Sequence, residues 1–262
     1  PRRTWHSRES SSATISAGAN RREVPGVPEL PEVETIARDL DGMLRATTIV
    51  AVHVHRRDVL RECSAPAFTK RLTGATFERF WRRAKYAVAD LSSGDRLVVS
   101  PKFTGALLVE AGPFRRTADD YTAIQFPLSD GRVLRYRDVR RLGTVALMTA
   151  ARFEAWIATL GPEPFDPLLT PGQFAAVVRA SRRAIKTILM DQRRIAGIGN
   201  IYANEALWRA GIRPSRRGAT ITRAEAALLL AEARDVLRLA VAQRGTSFRD
   251  YRDPNGGRGG FL

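Results

Sequence analysis

The residues best suited to covalent chemistry lie together near position 28, where Pro28 is followed by Glu29 and preceded by Val27. Valine can be encoded by GTG, an alternative bacterial start codon. Translation that begins there and loses its first residue would leave Pro28 as a free secondary amine. An α-amino group has a pKa of roughly 7.7–8.0 and is partly neutral at physiological pH. It can therefore attack an aldehyde-level carbon and form an iminium, which is an electron sink for elimination.

A second group of candidates is the lysines, because lysine is rare in this chain. The sequence has 43 Lys and Arg residues in total, and four of them are lysine: Lys70, Lys85, Lys102 and Lys186. Arginine replaces lysine on a surface at little cost, but it cannot replace a compact ammonium that must approach an anion closely. Each lysine is therefore a candidate site residue, with chance retention in an arginine-biased chain as the alternative.

The third candidate is a glycine turn, Gly197-Ile198-Gly199-Asn200, directly before a helical pattern that starts at Ile201. The exposed N–H groups at a helix N-terminus bind phosphate readily, and an asparagine amide adds a further donor. An ordinary tight turn is the alternative, because the same four residues would form one equally well.

The pattern of apolar residues predicts the elements that must position these candidates. A helical period runs from Val33 to Leu44, and Pro31 suits its first turn. Short alternating segments at intervals of about 8–12 residues then predict strands. These segments are 47–53, 75–81, 86–91, 96–100, 106–109, 122–126, 133–136 and 144–148. Helical periods return at 151–160, 171–180, 185–190, 201–210 and 223–244.

This order of elements predicts an α+β protein with two domains. Residues 28–149 would form a β-sandwich domain with an N-terminal helix, and residues 150–262 would form a helical domain. Residues 1–27 lack apolar periodicity and the apolar core of a secretory signal, so we expect a non-native or disordered extension. An organelle transit peptide is the alternative, because the segment is rich in Arg and Ser.

The composition limits the class of protein further. With 44% hydrophobic and 27% charged residues the chain is typical of a globular protein, and no stretch approaches the roughly 18 consecutive apolar residues of a membrane-spanning helix. One cysteine, Cys63, excludes an internal disulfide and a four-cysteine zinc site, and favours a reducing compartment. The formal net charge of +16 indicates a polyanionic partner, for which nucleic acid is the first candidate.

Five motifs in a fixed order carry a resemblance to a known family. They are PELPEVE at 28–34, RRAKY at 82–86, DVRRLG at 138–143, LGPEP at 160–164, and the run 185–205 that contains IK, LMD and GIGNIYANE. Together they closely resemble the bacterial formamidopyrimidine-DNA glycosylases, which repair 8-oxoguanine, over essentially all of 28–262. The related endonuclease VIII-type enzymes typically open with proline-glutamate-glycine, so the opening found here favours the purine-repair branch.

The resemblance implies a role for each residue of the first group. Pro28 would attack C1′ of the damaged nucleotide, Glu29 would handle protons at the sugar, and Lys85 would contact the phosphate beside the lesion. β- and δ-elimination of both phosphates would follow the loss of the base. For Glu29 the alternative is a carboxylate that serves only the helix dipole, and for Lys85 it is a solvated charge at a strand end.

The resemblance also implies which residues bind DNA. Family members insert three side chains into the space left by an extruded base, and here these correspond to Phe103, Arg140 and Leu142. Better-known members carry methionine and phenylalanine where this chain has Phe103 and Leu142, and core packing is the alternative for both. Tyr121 stands where some members have a DNA-contacting histidine. The remaining candidates, in the helix–two-turn–helix element that grips the DNA backbone, are Lys186, Asn200 and Tyr202.

One part of the family pattern is missing from the sequence. Family members normally end in a four-cysteine zinc finger, whereas this sequence stops at Gly259-Gly260-Phe261-Leu262, so we expect a truncated helix–two-turn–helix domain that holds no cofactor.

The sequence therefore predicts a bifunctional glycosylase and AP lyase for oxidised purines. We expect a monomer that acts on damaged double-stranded DNA in the bacterial cytoplasm, at the nucleoid and away from membranes. An oxidised-pyrimidine glycosylase is the alternative of the same class. A non-catalytic DNA-binding module is the alternative if Pro28 is not a free N-terminus.

Overall fold

The computed structural model describes residues 27–112, 121–246 and 252–261. The extension predicted at 1–27 lies outside these ranges except for Val27. Along the described chain, one helix and a set of strands come first and a series of helices follows, so the predicted α+β class is confirmed.

The first helix, α1 (Leu30–Leu44), begins where the sequence supplies a proline and a capping glutamate. Pro31 lies in the first turn, where a missing N–H costs no hydrogen bond. The N–H of Glu29 donates to the Glu32 carboxylate at 2.8 Å, which satisfies one donor ahead of the helix. The apolar face of α1, with Leu40 at its centre, is buried among the strands.

The strands form two sheets that pack face to face. They are β1 (His53–Val54), β2 (Leu60–Arg61), β3 (Phe77–Arg83), β4 (Tyr86–Leu91), β5 (Arg96–Ser100), β6 (Gly105–Glu110), β7 (Thr122–Pro127), β8 (Val133–Asp138) and β9 (Thr144–Met148). One sheet has the order β2-β9-β5-β4-β3 and the other β1-β7-β8-β6. Buried side chains from both sheets and from α1 form one continuous cluster, so the predicted sandwich is confirmed.

The strand predictions fail at one end of the sandwich. Most of 47–53 is not a strand, because Thr48 and Ile49 make single bridges and regular pairing starts only at β1. Val50 is 55% exposed, which a continuous buried strand would not allow. Helix α2 (Ala65–Leu72) is absent from the sequence prediction, although Ser64 marks its start as an N-cap.

The later helices divide between two cores. They are α3 (Ala150–Ile157), α4 (Pro171–Arg179), α5 (Ile185–Met190), α6 (Asn200–Arg209) and α7 (Arg223–Ala242). Phe153 of α3 is buried against Val88 and Met148 on the outer face of the five-stranded sheet. By packing, α3 lies with the sandwich, whereas the sequence prediction places residues from 150 onward in the helical domain. No helix in the described ranges is long and apolar enough to cross a membrane.

Helix α1 connects the sandwich to the core of α4–α7. Leu30, its first residue, is buried in the helical core, whereas the later apolar residues of α1 are buried in the sandwich, namely Val33, Ile36, Leu40 and Leu44. The N–H of Leu30 also donates to the carbonyl of Gly197 at 3.1 Å. The first turn of α1 therefore lies at the boundary between the two cores, and this boundary is where Pro28 and Glu29 are found.

Candidate active site

Glu29 lies at this boundary and is held by the glycine turn. Its carboxylate accepts the N–H of Gly199 at 2.6 Å and the N–H of Ile201 at 2.9 Å. These donors belong to the start of α6, so the helix N-terminus expected to bind phosphate binds a carboxylate of the chain itself. Burial raises the pKa of Glu29 to about 7, although Lys85 and the Ile201 N–H act to lower it. A carboxyl with that pKa can exchange protons near neutral pH.

Lys85 reaches the same point from the sandwich. With Ala84 it forms the turn between β3 and β4, and Ala84 has a left-handed backbone with φ of 53°. A Cβ placed on Gly199 would lie 2.3 Å from both Lys85 Nζ and the carboxyl carbon of Glu29, so glycine leaves room for the two charged groups. Burial lowers the pKa of Lys85, and the nearby Glu29 carboxylate partly offsets that effect.

Pro28 precedes this pair directly and is itself buried. Pro28 and Glu29 are adjacent in the chain, and Lys85 Nζ lies beside the Glu29 carboxyl group. The three residues that the resemblance named as catalytic are therefore neighbours. Together they can supply a nucleophile, a proton donor or acceptor, and a cation for a phosphate.

A second buried carboxylate, Glu32, supports the first. It accepts the hydroxyl of Tyr202 at 2.7 Å, the N–H of Thr246 at 2.8 Å and the N–H of Glu29 at 2.8 Å. Glu32 thus links the start of α1 to α6 and to the segment after α7. Two of these three partners are more than 150 residues away along the chain, so the residues around Glu32 in the sequence do not reveal them.

An ion-pair network holds the turn between β3 and β4. Glu163, from the connector between the cores, accepts hydrogen bonds from Arg82 at 2.6 Å, Arg83 at 2.9 Å and the N–H of Ala84 at 2.6 Å. Arg82, whose side chain is 8% exposed, also donates to Glu34 on α1 at 2.8 Å. Burial alone would raise the pKa of Glu163, but Arg82 and the other donors hold it below its usual value. The RRAKY and LGPEP motifs therefore contact each other directly in the folded chain.

The three residues predicted to fill an extruded-base site lie on two neighbouring loops. Phe103 is in the loop 101–104 before β6, and Arg140 and Leu142 are in the loop 139–143 after β8. We call these segments the wedge loops. The Arg140 guanidinium lies 5.0 Å from the centroid of the Phe103 ring, and Leu142 is 46% exposed. Core packing therefore does not account for Leu142, and Phe103 and Arg140 contact each other on loops that lie side by side.

Three of the other predicted DNA-binding residues have accessible side chains. Tyr121 is exposed immediately before β7, and the Arg137 guanidinium lies 5.0 Å from its ring centroid. Asn200 is exposed at the first residue of α6, and Lys186 is half-buried in α5. Their positions leave the predicted contacts possible.

Tyr202 is placed differently from the prediction. Its side chain is 1% exposed and its hydroxyl donates to Glu32, so in this structure the side chain is not accessible for the DNA contact that the resemblance implies. The reason is helical geometry, because residues two apart on a helix point about 200° away from each other. Asn200 faces solvent, and Tyr202 consequently faces the core.

Two acidic residues were missed as functional candidates, namely Asp138, which is buried, and Glu163, which is half-buried. Asp138 accepts hydrogen bonds from both wedge loops, and Glu163 holds the turn that carries Lys85. Each is the acidic residue of a motif that already carried the resemblance, DVRRLG and LGPEP respectively. That position was the available signal, because both acidic residues lie inside motifs that the resemblance had already singled out.

Models of two protein domains match the chain. The formamidopyrimidine-DNA glycosylase N-terminal domain matches residues 27–145, and the formamidopyrimidine-DNA glycosylase H2TH domain matches residues 160–252. The chain belongs to the formamidopyrimidine-DNA glycosylase family. As a member of that family it is a DNA glycosylase of DNA repair, and the resemblance seen in the motifs is confirmed.

Individual members of the family are similar over most of the chain. The formamidopyrimidine-DNA glycosylase of Moorella thermoacetica is 40% identical over 235 residues, which are 89% of this chain and 85% of the relative. That of Chloroflexus aggregans is 41% identical over 237 residues, which are 90% of this chain and 85% of the relative. A solved complex between the Lactococcus lactis Fpg and DNA containing an abasic site has a TM-score of 0.81 at 26% identity, and covers 88% of this chain and 84% of that one.

The zinc finger that the family implies has no ligand set in this chain. The sequence has a single cysteine, Cys63, and the residues described here contain no group of three His, Cys, Asp or Glu side chains placed to hold a metal. The residues present therefore do not fit a site of four thiolates.

Proposed function

We propose that this glycosylase removes oxidised purines, namely 8-oxoguanine and formamidopyrimidines, from double-stranded DNA and then cleaves the strand as a lyase. The observation that carries the proposal is the meeting of Pro28, Glu29 and Lys85 at the start of α1. The wild-type Lactococcus lactis Fpg, with a TM-score of 0.81 to this chain at 27% identity, has been solved with DNA containing N7-benzyl-Fapy-dG, which supports the substrate class.

In the proposed reaction Pro28 is the nucleophile, with its nitrogen as a free amine. The nitrogen attacks C1′, the bond from C1′ to the base breaks, and the electron pair leaves with the base. After the nitrogen loses its proton, its lone pair forms the iminium as the bond from C1′ to O4′ breaks. Removal of a proton from C2′ then expels the 3′ phosphate, and a further elimination expels the 5′ phosphate.

Glu29 and Lys85 act at two positions of the substrate during this reaction, namely O4′ of the sugar and the phosphate beside the lesion. A carboxyl with a pKa of about 7 can give a proton to O4′ as the sugar ring opens. The Lys85 ammonium pairs with the phosphate beside the lesion, and its compact shape suits the narrow space above Gly199. Because Glu29 is buried and Lys85 is half-buried, solvent screens their interaction with the substrate only weakly.

DNA is held by the rest of the proposed site. Phe103, Arg140 and Leu142 fill the duplex after the base leaves it, and Lys186 and Asn200 contact phosphates. The formal net charge of +16 supplies a general attraction to the duplex, so binding is strongly salt-dependent. One chain acts as a monomer on double-stranded DNA, at the bacterial nucleoid.

Borohydride trapping tests the proposal. A chain that begins at Pro28 is mixed with an 8-oxoguanine duplex and borohydride, which delivers hydride to the iminium carbon and fixes the adduct. The matched control retains residues 1–27, so that the Pro28 nitrogen is an amide and cannot form an iminium. We expect a covalent adduct and strand cleavage from the first protein alone.

Other outcomes contradict particular parts of the proposal. An adduct of equal yield with the control would assign the nucleophile to another group. Binding of the damaged duplex without adduct or cleavage would favour a non-catalytic DNA-binding module. A parallel duplex with an oxidised pyrimidine decides the lesion class, since faster excision there would favour the endonuclease VIII-type activity.

A further inference from the structure

A single buried carboxylate reaches both wedge loops. Asp138 is the last residue of β8 and is fully enclosed. Its Oδ1 accepts the hydroxyl of Thr104 in the first wedge loop and, at 3.3 Å, the N–H of Arg140 in the second. Its Oδ2 accepts the N–H of Gly143 at 2.8 Å. One side chain thus connects the start and the end of the second loop to the first.

Thr104 completes the connection between the loops. Its Oγ1 donates to Asp138 and at the same time accepts the N–H of Arg140 at 2.9 Å. A hydroxyl can donate one proton and accept through its lone pairs, so both bonds form together. The backbone of the second loop is therefore bound to the residue that follows Phe103 in the first.

The surroundings of Asp138 leave little room for rearrangement. The Tyr136 hydroxyl donates to Oδ2 at 3.4 Å, and burial next to this carboxylate raises the pKa of Tyr136 so that the hydroxyl remains a donor. A Cβ on Gly143 would lie 2.0 Å from that hydroxyl, and a Cβ on Gly105 would lie 2.3 Å from the carbonyl oxygen of Pro101. Both loops therefore end, just where the next strand begins, at positions where a side chain would collide.

We propose that Asp138 makes the two wedge loops one rigid unit, so that Phe103, Arg140 and Leu142 enter the duplex together. The inference rests on the base-excision function proposed above. Separate loops would each lose conformational freedom on entering DNA, whereas a preorganised pair has already lost it on folding. Asp138 is a positioning residue, because it is buried and acts through the loops that it joins.

Two conservative variants test this role, one at the Asp138 carboxylate and one at the Thr104 hydroxyl that bridges the loops. In Asp138→Asn the shape is kept, but an amide N–H replaces one acceptor and faces the N–H of Gly143 or the hydroxyl of Thr104. In Thr104→Val the shape is kept and the bridging hydroxyl is lost. Both are made in the form of the chain that gives the borohydride adduct, and Asp235→Asn, in an exposed pair with Arg238, is the control for charge.

The readout compares two substrates in single-turnover reactions. We expect both variants to excise 8-oxoguanine about 10-fold more slowly than the parent, which is a plausible loss for misplaced contacts. Cleavage of a preformed abasic site should change by less than about 3-fold, since no base has to be extruded there. The Asp235→Asn control should match the parent on both substrates.

The double variant tests whether the two groups act as one unit. Because Asp138 and Thr104 serve the same connection, the double variant should be no slower than the slower single variant, whereas independent effects would multiply.

Parental excision of 8-oxoguanine by both single variants would overturn the inference. Equal losses of rate on both substrates, together with a lower Tm, would also overturn the inference, because they would show that Asp138 and Thr104 only stabilise the fold. A parent chain with neither adduct nor excision would instead overturn the proposed function on which the inference rests.

Discussion

Glu29 and Gly199 are joined by a hydrogen bond of 2.6 Å across 170 residues of chain. The acceptor precedes a helix of the sandwich, and the donor is a backbone N–H at the start of a helix in the other core. The site is therefore complete only when the two cores are docked. Since the donor is backbone, substitution at Gly199 acts through the space that a new side chain occupies.

Gly199→Ala tests that space. The φ of Gly199 is −129°, which alanine adopts without strain, but its Cβ would lie 2.3 Å from Lys85 Nζ and from the Glu29 carboxyl carbon. We expect excision of 8-oxoguanine to fall by about 100-fold, because a small displacement of reacting groups has effects of that size. Single-turnover excision measures it. Gly42→Ala is the control, since nothing lies within 4 Å of its Cβ, and equal activity of both variants would contradict the geometry.

Lys85→Arg tests the need for a compact ammonium. The guanidinium is larger and forked, and Lys85 Nζ already lies close to both Gly199 and the Glu29 carboxyl group. We expect strand cleavage to slow about 10-fold or more, which corresponds to about 1.4 kcal/mol in the barrier. Lys70→Arg, on the exposed side of α2, should leave the rate of strand cleavage unchanged. If the two variants cleaved an 8-oxoguanine duplex equally fast, codon bias alone would explain the lysines.

Glu163→Gln tests the network behind the Lys85 turn. The side chains of Arg82 and Glu163 are 8% and 15% exposed, so the variant leaves a buried guanidinium short of a partner. We expect the free energy of unfolding to fall by about 3 kcal/mol, as for other broken buried pairs. Denaturant unfolding measures it. Glu62→Gln, which breaks an exposed pair with Arg152, should cost less than about 1 kcal/mol, and equal costs would contradict the network.

Glu29→Gln tests the pKa of the candidate acid. The Glu29 carboxyl titrates at about 7 in the folded chain and near 4.5 when unfolded, so the folded state binds the extra proton between these values. Its contribution to stability is therefore complete below the unfolded pKa and is lost as pH rises through about 7. The stability of the parent minus that of Glu29→Gln should fall between about pH 5 and about pH 8 in urea unfolding. A difference that stays constant would show that the pKa is not raised.

Lys186→Ala tests a proposed phosphate contact outside the catalytic pair. Each phosphate contact contributes about −0.9 to the slope of log affinity against log salt. We expect the variant to bind duplex DNA with a slope smaller in magnitude by about that amount, at every lesion tested. Titration by fluorescence anisotropy at several salt concentrations measures it. An unchanged slope would mean that Lys186 contacts no phosphate.

Local signals predicted much of the fold. The bounds of β4, β5, β9 and α5 agree with the sequence prediction, because alternation, helical period and turn residues are properties of neighbours in the chain. The prediction failed where long-range packing decides. Segment 47–53 is mostly irregular because it meets the sheets at single points, and α3 joins the sandwich because Phe153 finds its partners on the sheet.

The sequence by itself determined the family and the candidate catalytic residues, because a motif is an order of side chains along the covalent chain. Only the tertiary structure decided what those side chains meet. Glu29 binds the N–H groups of α6, Tyr202 turns inward to Glu32, and Asp138 joins two loops. These contacts, and the burial that raises the pKa of Glu29 to about 7, depend on which faces pack together. Spacing in the sequence does not carry that information, because contact and burial arise between segments that lie far apart in the chain.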